Sequence, residues 1–245
     1  MRGENTPCPI NARRHGLFCV AGTGGRHDRL GHHQRLADHG PLGLTERIVG
    51  INPLGVAIPA DREYPIVFDA AFSGSSHGKI RIHQQKNLPL PEGWALDADG
   101  QPTIDPARVI DGLLMPIGAF KGVSLALLMG VFSSMLLGAA YGTELGNMEN
   151  GPQAGLDGHF VMAVNVAAFV EVARFKERVD AAIVQIRQCR RAPGVERLYV
   201  AGGQEFVRRE EYGRAGIPLN QVTVRDIGAT ARELGVEVDQ YGWLG

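Results

Sequence analysis

GVSLALLMGVFSSMLLGAAY, from Gly122 to Tyr141, carries no charged residue and is long enough to span a bilayer. Gly122, Gly130 and Gly138 interrupt it, as do Ser124, Ser133 and Ser134, and the chain has no second such segment. Small and hydroxyl residues suit a helix packed closely against protein better than one in lipid. The stretch therefore reads as a helix buried in the core of an α/β domain. A membrane-anchored binding protein using this segment is the competing reading, and partition between membrane and soluble fractions separates the two.

The rest of the chain supports a globular domain. It has 245 residues, 44% hydrophobic and 21% charged, with a net charge of −1. That is enough for one large core or two small ones, and nothing points to nucleic acid or an anionic membrane as partner. Cys8, Cys19 and Cys189 are far apart and form no metal-ligand spacing, which suits a cytoplasmic protein without a metal site. The start, MRGENTPCPINARRHG, has no apolar core of a signal peptide.

Apolar runs at Ile48–Ala60 (broken at Asn52-Pro53), Pro65–Ser73 and His159–Phe169 read as strands, the latter two buried. Pro193–Gly203 reads as a strand and turn. Ser73–Lys79 reads as a loop, and Leu88–Pro106 as an irregular excursion with a tight turn at Asp99-Gly100. Amphipathic helices fit Val172–Arg191 and Val222–Leu234. Alternating strands and helices predict an α/β fold, a mixed sheet with helices on its faces. No GxGxxG follows a strand. Gly22-Thr23-Gly24 is nearest, with His27 in place of the third glycine, so any dinucleotide is bound without the Rossmann fingerprint.

Five stretches carry a resemblance: GINPLGVAIPA (50–60), PIVFDAAFSGSSHGKI (65–80), LPEGWALDADGQPTIDP (90–106), LMPIGAFKGVSLALLM (114–129) and AGGQEFVRREEYGRAGIPL (201–219). In this order and spacing, the chain from Thr45 on resembles the malate/L-lactate dehydrogenase family of the second, non-Rossmann type. That family includes malate, sulfolactate, ureidoglycolate and diketogulonate oxidoreductases. The resemblance implies a non-Rossmann nicotinamide-cofactor domain, NAD or NADP as cofactor, a small 2-hydroxy or 2-oxo acid as substrate, and a homodimer. It implies cofactor contacts at Asp69, Ala70 and Ser73, at Phe120 and Lys121, and at Gly203, Gln204 and Glu205. A lysine at a helix start can place its charge beside amides that favour phosphate. A carboxylate at a strand's end can accept ribose hydroxyls or orient an imidazole. Taken singly, each has a plainer reading: Asp69 as a turn cap, Lys121 as a solvated lysine, Glu205 as the start of a helix.

Histidine placement bears on catalysis. Hydride transfer from a 2-hydroxy acid needs a base for the hydroxyl proton, and histidine has the suitable pKa. The family's Ser-His-Gly motif belongs upstream of the resembling region, so His77 reads as a solvated loop residue and His159 as a structural one; no catalytic residue is assigned. His15, His27, His32, His33 and His39 crowd an Arg- and Gly-rich start without helical or strand period. Shifted by one base, the codons for HDRLGHHQRLADHGPLG (27–43) permit MIGLATTNALPTMAPWG, which resembles the family's sequence at this place. Residues 1–44 thus read as an out-of-frame tail with little order, 45–245 as the cofactor domain of an N-terminally truncated dehydrogenase. Its activity is then expected to be impaired; the alternative is an inactive fragment that keeps weak cofactor binding. The nucleotide sequence across codons 1 to 45 tests the frame directly.

Overall fold

Between the apolar runs Leu54–Ile58 and Ile66–Ala70 the chain has only residues 59–65 in which to turn. That is too short for a crossover helix, so the two runs pair antiparallel, with Gly55 opposite Asp69. A computed structural model describes residues 17–23, 48–144 and 158–237. The chain divides after Gly203 into two units.

The first unit contains strands β1 (Leu17–Thr23), β2 (Leu54–Ile58), β3 (Ile66–Ala70), β4 (Ala95–Leu96), β5 (Pro102–Thr103), β6 (Leu113–Leu114) and β7 (His159–Asn165). Its helices are α1 (His77–Gln85), α2 (Phe120–Ser133) and α3 (Val172–Gln188). The main sheet has the order β3-β2-β1-β7. Every pairing in it is antiparallel, so the expected mixed sheet is corrected: among the described strands none is joined to a neighbour as a parallel crossover would require. A small antiparallel sheet, β5-β4-β6, holds the Pro/Gly/Asp-rich excursion. Its turn lies where Asp99-Gly100 predicts it. Gly100 takes φ 76°, and buried Asp97 accepts from the backbone N–H of Asp99 (3.0 Å) and Gln101 (2.9 Å) while pairing with Arg108 at 2.6 Å. The second unit holds α5 (Gln221–Glu233) and nearly all of α4 (Gly203–Ala215).

Strand β1 lies within residues 1–44, the stretch expected to have little order; the rest of that stretch lies outside the described residues. LFCVAGT pairs with both β2 and β7, Ala21 standing opposite Gly55 on one side and Val161 on the other. Its composition explains this: it is the one uncharged, apolar run between Arg14 and Arg26, whatever its flanks. His27–Gly43, where the shifted frame was strongest, lies outside the described residues.

Helix α2 covers the first part of the expected Gly122–Tyr141 helix and ends at Ser133, with a short 3-10 turn at Met135–Leu137 after it, and it is not buried all round. Its buried positions are Gly122, Ala126, Gly130 and Ser133, a single stripe at helical spacing. A Cβ on Gly122 would lie 2.4 Å from the carbonyl oxygen of Ile117 and 2.9 Å from that of Phe72. One on Gly130 would lie 2.3 Å from the Tyr141 ring. The glycines thus serve close approach. The other side stays open, with Phe120 63% and Leu136 68% exposed. Phe120–Leu137 is apolar and long enough to cross a membrane, yet its small-residue side is spent on protein contacts. Burial of Tyr141 raises its phenol above the usual range.

The strands are also less buried than their apolar runs suggest. Among the described strands β3 is one edge of the sheet, with Asp69 exposed, and β7 the other, with Val161 68% exposed. His159 is exposed rather than structural. His77 is not a loop residue; it opens α1, which Ser76 caps by accepting from the Lys79 N–H, and its Nε2 atom is buried. Pro193–Gly203 forms a turn without a regular strand. Helix α3 matches the predicted amphipathic segment. Its Asp180 carboxylate accepts from the backbone N–H groups of Asp61, Arg62 and Glu63 at 3.1, 2.9 and 3.3 Å, which fixes the link between β2 and β3. Arg187 of α3 pairs with Glu63 of the same link.

Because the atoms facing Gly122 are backbone, they cannot swing aside. Gly122→Ala should destabilise the chain by about 1–3 kcal/mol through overpacking. Thermal unfolding followed by circular dichroism reads this, and an unchanged Tm would contradict the packing described.

Candidate functional site

Strand β3 runs out at Ala70, and the chain leaving it is gripped from two directions. On one side the Phe72 N–H donates to the Ile51 carbonyl at 3.1 Å, and the Phe72 carbonyl accepts from the Ile117 N–H at 3.0 Å. Ser73 pairs with Pro116, and the Gly74 N–H donates to the Met115 carbonyl at 2.7 Å. These contacts bring the turn before α2, and so Lys121, to the chain leaving β3. On the free edge of β3, the Val67 N–H donates to the Ala201 carbonyl at 3.0 Å. Gly202, at φ 83°, lies so close to Val67 that a Cβ would meet its Cβ and carbonyl oxygen at 2.9 Å. Asp69, two residues beyond Val67, shares its face of the strand. Segments distant in sequence, 67–74, 115–122 and 201–203, thus meet in one region of the first unit.

The predicted residues fall in it unevenly. Asp69, Phe120 and Lys121 are exposed, and Ala70 is half-buried. Ser73 is buried, and its hydroxyl donates to the Ser75 carbonyl at 2.5 Å in the loop that leads into α1. Gly203 is half-buried and begins α4, with the Tyr199 ring 3.4 Å from where a Cβ would stand. Gln204 and Glu205 are exposed and belong to the second unit. Glu205 lies in the first turn of α4, where a carboxylate complements the helix dipole.

The start of α2 is unusual. Gly118 has φ 55°, and Ala119, the cap residue, has φ 55° and ψ −122°, a conformation that suits glycine and strains alanine. No side chain caps this end. An uncapped helix start with an exposed lysine one residue in is suited to a phosphate. Asp69 offers a carboxylate to hydroxyl donors. This donor set fits a dinucleotide, with cation and amides for the pyrophosphate and an acceptor for ribose. Sequence reasoning overlooked Ala119, Gly202 and the role of Asn52. The doublet Gly202-Gly203 was the only visible signal for the second of these.

A family profile described as malate/L-lactate dehydrogenase matches residues 37–228. The match covers most of the chain, and the chain belongs to that family. It begins inside the stretch read as out of frame. The malate dehydrogenase of Pyrococcus horikoshii is 31% identical over 206 residues, covering 80% of this chain and 56% of that protein. The NADP(+)-dependent (2R)-3-sulfolactate dehydrogenase of Chromohalobacter salexigens is 31% identical, covering 94% and 71% respectively. Another relative, from Escherichia coli, is named as an NAD(+)-dependent ureidoglycolate dehydrogenase. Among solved structures, malate dehydrogenase from Entamoeba histolytica superposes with a TM-score of 0.80 at 26% identity, covering 92% of this chain and 63% of that one. The chain therefore spans a little over half the length of the first of these relatives.

Ala119→Gly should relieve the strained cap and raise stability by about 1 kcal/mol or more. Chemical denaturation checks it: a lower midpoint in the glycine variant would show that alanine is not strained there.

Proposed function

We propose that this chain serves the nicotinamide-dependent interconversion of a 2-hydroxy acid and its 2-oxo acid, holding NAD or NADP where β3 ends. The observation that supports this reading is the backbone pairing that joins segments 67–74, 115–122 and 201–203, which carry Asp69, Lys121 and Gly203. In that arrangement the Lys121 ammonium and the first amides of α2 hold phosphate. The Asp69 carboxylate accepts from ribose hydroxyls or holds an imidazole in the orientation a base requires. The backbone junction at Phe72 joins the segments that carry these groups. When bound, the nicotinamide supplies the hydride acceptor. The base that takes the hydroxyl proton is not assigned to a residue of this chain.

The substrate belongs with those of the relatives: malate, sulfolactate, lactate or ureidoglycolate. The protein is read as soluble and cytoplasmic, with no nucleic acid or membrane partner. It is also read as a homodimer, which the open apolar side of α2 supports, because apolar surface of that kind is commonly covered by protein. Light scattering on the purified chain tests this, and a strictly monomeric mass contradicts it.

Binding and turnover are tested separately. NADH and NADPH titrations followed by nicotinamide fluorescence should show saturation with at least one cofactor. Lys121→Ala and Asp69→Ala should each weaken it about tenfold, the loss of one charge-assisted contact. Unchanged affinity in both variants would overturn the site. Turnover with the four acids then separates an active dehydrogenase from a chain that binds cofactor without catalysis. A chain that binds cofactor without a placed general base should turn over about 10²–10⁴-fold more slowly than an active relative. A rate equal to that relative's would mean that a residue of this chain, His77 or His159 included, serves as the base.

A further inference from the structure

We propose that Asn52 is a positioning residue for cofactor binding: it sets the axis of α2, and through it the place of Lys121 relative to Asp69. The inference rests on the cofactor site proposed above. Asn52 is 1% exposed and adopts φ 33°, a left-handed conformation that asparagine tolerates better than most residues but that still carries strain. The next residue is Pro53, whose ring further restricts the backbone of Asn52. A fully buried amide held in such a conformation is over-determined by its surroundings, and the surroundings are specific. Its Nδ2 donates to the carbonyl of Ala126, in the middle of α2, at 2.7 Å. One helical turn further on, Gly130 leaves room for it: a Cβ there would stand 3.0 Å from the same Nδ2.

The backbone beside Asn52 ties it to the other half of the site. The Ile51 carbonyl accepts from the Phe72 N–H, and the Phe72 carbonyl accepts from the Ile117 N–H ahead of α2. Asp69 lies three residues before Phe72, and Lys121 five before Ala126. Helix α2 is thus held to one short segment at two places, its entry through Phe72 and its middle through Asn52. One contact fixes a point on a helix; two fix its direction. Without the Asn52 amide the entry remains pinned through Phe72 and the last turn still packs through Phe132 on Phe160, but the middle of the helix loses its hydrogen bond to this segment, and the first turn shifts with it.

A residue that only supports the fold would lower stability and leave the energetics of Lys121 unchanged once the chain is folded. A positioning residue changes what Lys121 is worth. The test is a double-mutant cycle on the 245-residue chain, reading the dissociation constant of NADH or NADPH, whichever the unmodified chain binds. Asn52→Gly removes the amide while allowing φ 33° without strain. We expect Asn52→Gly to weaken cofactor binding several-fold. Lys121→Ala, which costs about tenfold in the unmodified chain by loss of its charged contact, should cost less than about threefold in the Asn52→Gly background, an interaction of the size coupled neighbours show. An equal cost in both backgrounds, or an affinity unmoved by Asn52→Gly, overturns the proposal. Should Asn52→Gly fail to fold by circular dichroism, Asn52→Asp is read in the same way, since it keeps the size and turns the donor into an acceptor facing the Ala126 carbonyl. If the unmodified chain binds neither cofactor, the failure belongs to the site itself and not to Asn52.

Discussion

Both backbone groups of Phe72 are committed, the N–H to Ile51 and the carbonyl to Ile117, and the arrangement of the first unit's functional region depends on that pair. Phe72 itself is buried among Val49 and Ala126, so the two bonds lie where water cannot replace them. Through them the end of β3, the segment before β2 and the entry to α2 behave as one piece. The glycine at 122 follows from the same constraint. The Phe72 carbonyl lies 2.9 Å from where a Cβ would stand, so the helix can enter at this angle only without a side chain there. Lys121, the residue before, then has its backbone position set by this junction.

The same helix shows how one segment can satisfy two demands that its composition makes hard to tell apart. Gly122, Ala126, Gly130 and Ser133 let it approach the sheet side closely. Phe132 stacks on Phe160 of β7, with centroids 5.5 Å apart. Opposite that stripe the helix keeps an apolar side in the open, and Leu136 and Leu137 extend it. Composition alone gives a segment that is apolar all round, which fits a core helix, a membrane span or an association surface equally. The stripe of small residues is what decides that at least one side belongs against protein.

Much of the proposed site was legible in the sequence because it is carried by short stretches with strong local reasons to exist. Asp69 ends an apolar run, and Lys121 follows a glycine-containing turn. Gly100 and Asp97 build their turn as their types require. Burial was less legible. An apolar run marks a strand, but nothing in it says whether its second face is covered, and so β3 and β7 read as buried although both are edges. Strand β1 was hidden by its neighbours, since an Arg- and His-rich composition over the whole start outweighed the seven apolar and small residues within it. Ser73 faces inward with its hydroxyl on the Ser75 carbonyl, a direction that loop composition does not report. Asn52 read only as a break before proline. Its amide reaches a helix 74 residues away in sequence, and no local pattern reports that.

The central claim is that the end of β3, the α2 entry and the 201–203 turn form one cofactor-binding region. Hydrogen–deuterium exchange of the chain with and without saturating NADH or NADPH tests it most directly, because it locates binding without presuming activity. The account predicts slowed exchange at residues 67–74, at 117–123 and at 199–203, with the small sheet of β4, β5 and β6 unchanged. Protection confined to other segments, or at only one of the three, would contradict it.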